Sequence, residues 1–123
     1  MKTALVIEDN ENNLELITFI LHAGGYATRC AITGLDGVAE ALRERPDFIL
    51  LDIQLPDIDG LEVARRIRAG ETGAPIPMIA ITSFAMAGDR ERVLAAGCNG
   101  YIEKPVDPMR VMAQIENVLM QAI

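Results

Sequence analysis

Apolar and polar positions alternate between two spacings along the chain. Five apolar runs of strand length are separated by stretches in which apolar residues recur at the spacing of a helix. The predicted strands cover residues 4–7, 26–32, 48–51, 78–81 and 101–102. The first predicted helix ends at residue 24, and the others cover 34–45, 61–69, 85–96 and the segment after 107. Because continuous apolar strands separated by helices pack as a parallel sheet covered on both faces, the sequence predicts an α/β fold.

The ends of two helices carry capping signals. Asn10 or Asn12 suits the N-cap of the first helix, and Gly24, which a second glycine follows, suits its end. Asp107 and Pro108 open the last helix in the favoured order, a capping residue followed by a proline in the first turn. Capping residues therefore support the first and last predicted helices in addition to the spacing of their apolar residues.

The first helix has more apolar residues than one core-facing stripe requires. Four of them form a stripe at helical spacing: Leu16, Ile17, Ile20 and Leu21. Phe19 lies outside that stripe. Either Phe19 docks a histidine-bearing helical bundle, or it is a scattered apolar residue of the kind that is common on protein surfaces.

Composition and charge limit the classes of function. For 123 residues we expect one domain, covering 1–123, with no attached output domain. The 11 basic and 18 acidic residues give a net charge of −7, which argues against binding to nucleic acid or to anionic membranes. No apolar run approaches the length of a membrane span or a signal peptide, so we expect a cytoplasmic protein.

Residues that form disulfides or bind transition metals are few. Cys30 and Cys98 are far apart in the sequence, which favours reduced, packed thiols. His22 has no cysteine or aspartate at a spacing typical of metal ligands, so we interpret it as a bystander.

Polar side chains follow four of the predicted strands at their carboxyl ends. Glu8 and Asp9 follow the first strand and Asp52 follows the third. Thr82 follows the fourth strand and Lys104 the fifth. Strands often end on polar residues, but this combination at four strand ends is hard to obtain by chance. Because function gathers at the carboxyl ends of the strands in open parallel sheets, we expect these side chains to converge in one crevice.

Three carboxylates in one crevice need a compensating positive charge. At about 4 Å and an effective dielectric of about 20, each pair of like charges costs about 4 kcal/mol. Oxygen ligands select a hard cation, and few protein ligands with open positions favour Mg²⁺. Lys104 adds a charge suited to phosphate. Asp52 is best placed to become an aspartyl phosphate, to which Thr82 would donate a hydrogen bond.

These residues resemble those of a known family, the response-regulator receiver domains of two-component signalling. The matching motifs are Glu8-Asp9-Asn10, Phe48 to Asp52, Pro56-Asp57, Asp59-Gly60, Thr82-Ser83, Gly97, Tyr101 and Lys104-Pro105. The resemblance covers essentially the whole chain. Within the family, residues 84–98 are similar to free-standing regulators of the DivK type and to receivers attached to hybrid kinases.

The resemblance implies a fold and a set of ligands. The fold would be a doubly wound five-stranded parallel sheet in the order 2-1-3-4-5, flanked by five helices. The side chains of Asp9 and Asp52 would bind Mg²⁺, with Glu8 acting largely through water and Gln54 through its backbone carbonyl. Asp52 would accept the phosphoryl group from a histidine kinase or a histidine phosphotransfer protein. The protein would then have no separate substrate, so it would not be an enzyme in the usual sense.

The resemblance also implies a switch. Thr82 and Lys104 would hold the phosphate, Tyr101 would turn inward as Thr82 moves, and the Lys104–Pro105 peptide bond would be cis. The surface made by the fourth helix, the fifth strand and the last helix would change shape and bind a downstream effector protein. The alternative for Tyr101 is a packed, static aromatic residue. The residue two positions after the acceptor, Gln54, stands at a position that varies in the family and tunes dephosphorylation, so the lifetime of the phosphate stays open. We expect a monomer or a weak dimer.

Three other functions fit parts of the pattern. A haloacid-dehalogenase-like phosphatase also forms an aspartyl phosphate, but those enzymes resemble one another in having a second aspartate where this chain has Gln54. A flavodoxin-like FMN carrier has the same strand order, but it needs a hydroxyl- and glycine-rich loop where this chain has Glu8 and Asp9. A degenerate receiver that serves as a plain interaction module is the third, and the complete set of site residues argues against it.

Overall fold

The protein is an α/β sandwich with one parallel sheet of five strands in the order β2-β1-β3-β4-β5. This computed structural model describes residues 1–83 and 88–122. The strands are β1 Thr3–Ile7, β2 Ala27–Ala31, β3 Phe48–Asp52, β4 Met78–Thr82 and β5 Gly100–Glu103. The helices are α1 Glu11–Ala23, α2 Gly34–Arg43, α3 Gly60–Gly70, α4 Asp89–Ala95 and α5 Val111–Gln121. The predicted fold class, strand order and number of helices are confirmed.

The central strands are buried on both faces, which is why they read as continuous apolar runs. Alternate residues of the strands point to opposite faces. One face packs under α2, α3 and α4 around Ile49, Leu51 and Met78. The opposite face packs under α1 and α5 around Leu50 and Ile79. The two apolar layers fix the sheet between the helices and hold the strand ends in register.

The strand register gathers the carboxyl ends at one edge. Ile7 pairs with Leu51, so Glu8, the next residue, lies level with Asp52. Asp52 in turn pairs with Ile81, one residue before Thr82. The side chains that the sequence places at strand ends therefore meet at one edge of the sheet.

The first helix differs from its predicted pattern at one position. Asn10 is the N-cap, and its side-chain oxygen accepts a hydrogen bond from the Asn13 backbone N–H at 3.0 Å. Leu14 packs against the core, whereas Leu16 is exposed. The predicted stripe is therefore wrong at Leu16, because the face that meets the sheet passes through Leu14, three residues before Ile17. Phe19 lies outside the core, as predicted, with 73% of its surface exposed.

The last helix begins later than predicted. The Asp107 side chain accepts a hydrogen bond from the Met109 N–H at 2.9 Å, and the Asp107 carbonyl accepts one from the Arg110 N–H at 3.0 Å. Asp107 therefore caps a short turn, and regular helix starts only at Val111. The fourth helix is described from Asp89, and the predicted first turn at 85–87 lies outside the described residues.

The thiols are free but differ in environment. Cys98 is buried, as expected of a packed thiol, and burial raises its pKa to about 11. The expectation of a packed thiol is wrong for Cys30, which is exposed because β2 is an edge strand. Among residues 1–83 and 88–122, no helix is both long enough and apolar enough to cross a membrane.

Arg68 fastens the loops at the amino ends of β4 and β5. Its guanidinium donates twice to the Gly97 carbonyl, at 2.9 and 2.7 Å, once to Asn99 Oδ1 at 3.1 Å, and twice to the Glu71 carboxylate, each at 3.0 Å. The Met78 N–H donates to the same Asn99 oxygen at 2.8 Å, and the Asn99 N–H donates to the Met78 carbonyl at 2.7 Å. This Arg68 network lies at the edge of the sheet opposite the strand ends described above.

Candidate acidic site at the carboxyl ends of the strands

Three carboxyl groups form a cluster at the carboxyl edge of the sheet. One oxygen from each of Glu8, Asp9 and Asp52 lies within 4.8 Å of the other two. Glu8 and Asp52 are 1% and 3% exposed, whereas Asp9 faces solvent. The cluster is therefore open on one side, so a ligand can reach it.

The loop after β3 positions the Asp52 side chain and leads into α3. The Gln54 backbone N–H donates to Asp52 Oδ1 at 3.0 Å. The Gly60 N–H donates to the Ile53 carbonyl at 2.9 Å, which turns the chain into α3. A Cβ atom at Gly60 would lie 2.5 Å from the Ile53 Cα atom, so only glycine allows this close approach. Asp59 caps α3 by accepting the Leu61 N–H at 2.8 Å.

Lys104 brings the positive charge into the cluster. Its Nζ atom lies 3.2 Å from Asp52 Oδ1 and 3.5 Å from Glu8 Oε1. The Lys104 side chain is 19% exposed, and its backbone N–H donates to the Thr82 carbonyl at 2.8 Å. The Lys104–Pro105 peptide bond is cis, the geometry that the resemblance implied. One ammonium group faces two buried carboxyl groups, so the cluster has a surplus of negative charge.

The pKa of Glu8 is raised in these surroundings of negative charge. Burial, a hydrogen bond with Asp52 and the Asp52 charge raise the Glu8 pKa to about 7, and the Lys104 charge opposes them. Glu8 Oε1 is buried and has no hydrogen-bond partner among the described residues, although Lys104 lies near it. A buried oxygen without a hydrogen bond, beside two further carboxyl groups, fits a hard cation.

Thr82 and Tyr101, the predicted switch residues, lie on neighbouring strands. Thr82 is buried at the end of β4. Tyr101 is half-buried on β5, where it pairs with Ala80 and packs against the core beneath α2, α3 and α4. The structure therefore brings Thr82 and Lys104 to the cluster and places Tyr101 farther back along the adjacent strand.

Sequence reasoning missed a hydrogen bond across the site. Ser83 Oγ donates to Gln54 Oε1 at 3.2 Å, and it joins the loop after β4 to the loop after β3. The available signal was the position of Ser83, the only serine in the chain, directly after Thr82.

Sequence reasoning also missed what Asp57 does. Its carboxylate accepts the Gly34 N–H at 2.7 Å and the Leu35 N–H at 2.9 Å, so it caps α2 from the loop after β3. These hydrogen bonds lower the pKa of Asp57. More than 20 residues separate the partners, so no local motif reveals the contact.

Two cavities open beside the acidic site. The first has a volume of about 350 Å³ and lies between α1 and the loop after β5. Its wall residues include Glu8, Leu16, Ser83 and Lys104. The second has a volume of about 200 Å³, and its wall residues include Gln54 and Thr82.

An apolar groove continues the first cavity along α1. This groove has a volume of about 370 Å³ and shares Leu16 with the first cavity. Phe19 and Met112 also form part of its wall. His22 lies elsewhere, where its Nε2 atom is 2.9 Å from the Thr28 hydroxyl.

Comparisons with known proteins agree on one family. Residues 4–116 match the family described as response regulator receiver domain. The chain is 41% identical over 121 residues to the polar-differentiation response regulator DivK of Brucella anthropi, and the match covers 98% of each chain.

Solved structures give the same result. The receiver domain of sensor histidine kinase PA1611 from Pseudomonas aeruginosa PAO1 is 37% identical with a TM-score of 0.86, covering 97% of this chain and 98% of that one. That domain has a magnesium ion in its active site cleft. A CheY-like receiver domain protein from Methanospirillum hungatei is 30% identical with a TM-score of 0.88, covering 99% of this chain and 96% of that one.

Proposed function

Because the chain belongs to the response regulator receiver domains, we propose that Asp52 is its phosphoacceptor. Domains of this family act as phosphorylation-dependent signalling switches and are not classical enzymes. The observation that carries the assignment is the position of Asp52, buried between Lys104 and two further carboxyl groups. A carboxylate in that position can act as the nucleophile toward phosphorus.

The acidic cluster is proposed to hold Mg²⁺. The side chains of Asp9 and Asp52 would bind the ion directly, Glu8 would act largely through water, and Gln54 would contribute its backbone carbonyl. When bound, Mg²⁺ would supply charge neutralisation for the phosphoryl oxygens. Two observations support this choice: Glu8 Oε1 is buried and has no hydrogen bond from the described residues, and the donor set is all oxygen.

The transfer step needs no general base. An Asp52 carboxylate oxygen attacks the phosphorus of a donor phosphohistidine, the P–N bond breaks, and its electron pair returns to the imidazole ring. Lys104 Nζ, already 3.2 Å from Asp52, would stabilise the charge on the transferred group. Thr82 would donate its hydroxyl to a phosphoryl oxygen. The protein would thus catalyse its own phosphorylation and dephosphorylation without a separate substrate.

Phosphorylation is proposed to shift the populations of two conformations. It adds roughly 1.5 to 2 negative charges beside Thr82 and Lys104. Thr82 would close on the phosphate and Tyr101 would turn inward, which would reshape the surface made by α4, β5 and α5. Reversing a 1:99 population ratio needs about 5.5 kcal/mol of differential stabilisation. An effector protein that binds only the reshaped surface would then bind in a phosphorylation-dependent way.

The phosphoryl donor is proposed to dock over α1. A donor histidine must reach Asp52, so its helix has to lie along the rim of the site. The first cavity and the apolar groove, which share Leu16, run from Lys104 along α1 past Phe19. Phe19, 73% exposed, would contact a helical histidine kinase or histidine phosphotransfer protein. A downstream effector is the second proposed partner, and nucleic acid and membranes are not.

Location and assembly are also part of the proposal. Both cysteines are free, which suits the reducing cytoplasm. We propose a monomer or a weak dimer, read out by size-exclusion chromatography with light scattering before and after phosphorylation.

The deciding experiment is incubation with acetyl phosphate and Mg²⁺, followed by intact mass. The wild type is expected to gain one phosphoryl group, and Asp52→Asn none. Asp36→Asn, an exposed change in the first turn of α2, serves as the matched control and should be labelled. Omission of Mg²⁺ should abolish labelling. Label that persists in Asp52→Asn contradicts the assignment, and sustained hydrolysis of phosphate esters would favour a phosphatase instead.

A further inference from the structure

Gln54 and Ser83 form a bridge between the two loops that follow β3 and β4. The Ser83 hydroxyl donates to Gln54 Oε1 at 3.2 Å. The proposed metal contact of Gln54 uses its backbone carbonyl, so its side-chain amide is free for a different role. Neither the Ser83 hydroxyl nor the Gln54 amide takes part in the transfer step described above.

The bridge lies between the two cavities at the acidic site. Ser83 and Lys104 belong to the wall of the cavity of about 350 Å³, and Gln54 belongs to the wall of the cavity of about 200 Å³. Asp52 Oδ1 is contacted from both walls, by Lys104 Nζ at 3.2 Å and by the Gln54 backbone N–H at 3.0 Å. The acceptor therefore lies between the cavities, and the bridge joins one wall to the other.

Loss of the phosphoryl group requires water at this position. The water oxygen bonds to phosphorus, the P–O bond to Asp52 breaks, and its electron pair returns to the carboxylate. Inorganic phosphate leaves, and the proton of the water passes to phosphate or solvent. A nearby hydrogen-bond acceptor orients the attacking water and speeds this step. Gln54 Oε1 is such an acceptor, but Ser83 already donates to it.

We propose that Ser83 is a positioning residue: its hydrogen bond holds the side-chain oxygen Gln54 Oε1 in the bridge, where it does not orient the attacking water, and so lengthens the lifetime of phosphorylated Asp52. The proposal rests on the function proposed above. In this proposal the Ser83 hydroxyl acts through Gln54 and not on the transferred group.

The test measures decay of phosphorylated protein after the acetyl phosphate is removed, by intact mass against time. Loss of one neutral hydrogen bond to an exposed side chain predicts decay about two- to tenfold faster in Ser83→Ala than in the wild type. Ser83→Thr keeps the hydroxyl and should restore the slow rate. In a Gln54→Ala background, Ser83→Ala should have no further effect, because the acceptor oxygen is gone. The midpoint of urea unfolding and the Mg²⁺ affinity of Ser83→Ala should match the wild type.

Each outcome has a distinct meaning. If no variant is labelled, or if label survives Asp52→Asn, the proposed function fails. If labelling depends on Asp52 but Ser83→Ala decays at the wild-type rate or more slowly, only the role of Ser83 is overturned. The role of Ser83 is also overturned if the double variant Ser83→Ala, Gln54→Ala decays faster than Gln54→Ala alone, since Ser83 would then act without Gln54.

Discussion

Replacing Lys104 with methionine tests the charge balance of the acidic site. Methionine has a similar length and no charge, so the change removes the ammonium group from two buried carboxyl groups. With an effective dielectric of about 20, the Coulomb attraction at the 3.2 Å distance to Asp52 is about 5 kcal/mol, and the 3.5 Å contact with Glu8 is of similar size. Desolvation of the ammonium group offsets much of this attraction.

We expect the metal-free Lys104→Met protein to lose about 2–4 kcal/mol of unfolding free energy, since removing one partner leaves buried carboxylates uncompensated. The measurement is urea unfolding at pH 7.5 in EDTA. Lys2→Met is the matched control, because Lys2 is the only other lysine and is exposed. It should lie within about 0.5 kcal/mol of the wild type.

Saturating Mg²⁺ should reduce the loss caused by Lys104→Met. The ion and the ammonium group compensate the same carboxylates, so removing Lys104 should tighten Mg²⁺ binding. Tighter binding stabilises the variant more than the wild type at equal Mg²⁺ concentration. A loss that is the same with and without Mg²⁺, or weaker Mg²⁺ binding by the variant, would refute this account of the charge balance.

Three further changes test other parts of the structure. Asp57→Ala should lower the midpoint of urea unfolding at pH 7, because the Gly34 and Leu35 N–H groups in the first turn of α2 lose their acceptor. The lowered pKa of Asp57 means that its carboxylate contributes stability above its ordinary pKa, so the difference between the two proteins should shrink as the pH falls through the lowered value. Gly60→Ala should destabilise the protein by about 2 kcal/mol or more in urea unfolding, because the added Cβ would contact backbone atoms at 2.5 Å, and a wild-type midpoint would contradict the contact. Arg68→Lys should lower the unfolding free energy by about 2–3 kcal/mol in the same assay, because an ammonium group cannot replace a guanidinium that donates hydrogen bonds to three partners. The control Arg66→Lys, on the exposed face of α3, should change the unfolding free energy little.

The fold was predictable because its signals are local. The fully buried strands β3 and β4 are continuous apolar runs, and each ends on the polar residue that enters the site, Asp52 or Thr82. Parallel order alone then gathers those ends at one edge. This is why the acidic cluster and Lys104 could be expected to meet before any distance was known.

Contacts between distant segments were not predictable in the same way. Asp57 caps α2 across more than 20 residues, and the Ser83 hydroxyl meets Gln54 across 29. Leu16 was misplaced because α1 carries apolar residues on two faces, so spacing alone does not say which face meets the sheet. Asp107 carries the signal of a helix cap, but it caps a preceding turn instead.

The Arg68 network anchors the amino edge of the sheet. At the amino edge, Asn99 and Met78 exchange two hydrogen bonds, and Arg68 ties the same loop to α3. These hydrogen bonds anchor the amino ends of β4 and β5 to each other and to α3. Sliding of either whole strand would therefore have to break several of them at once.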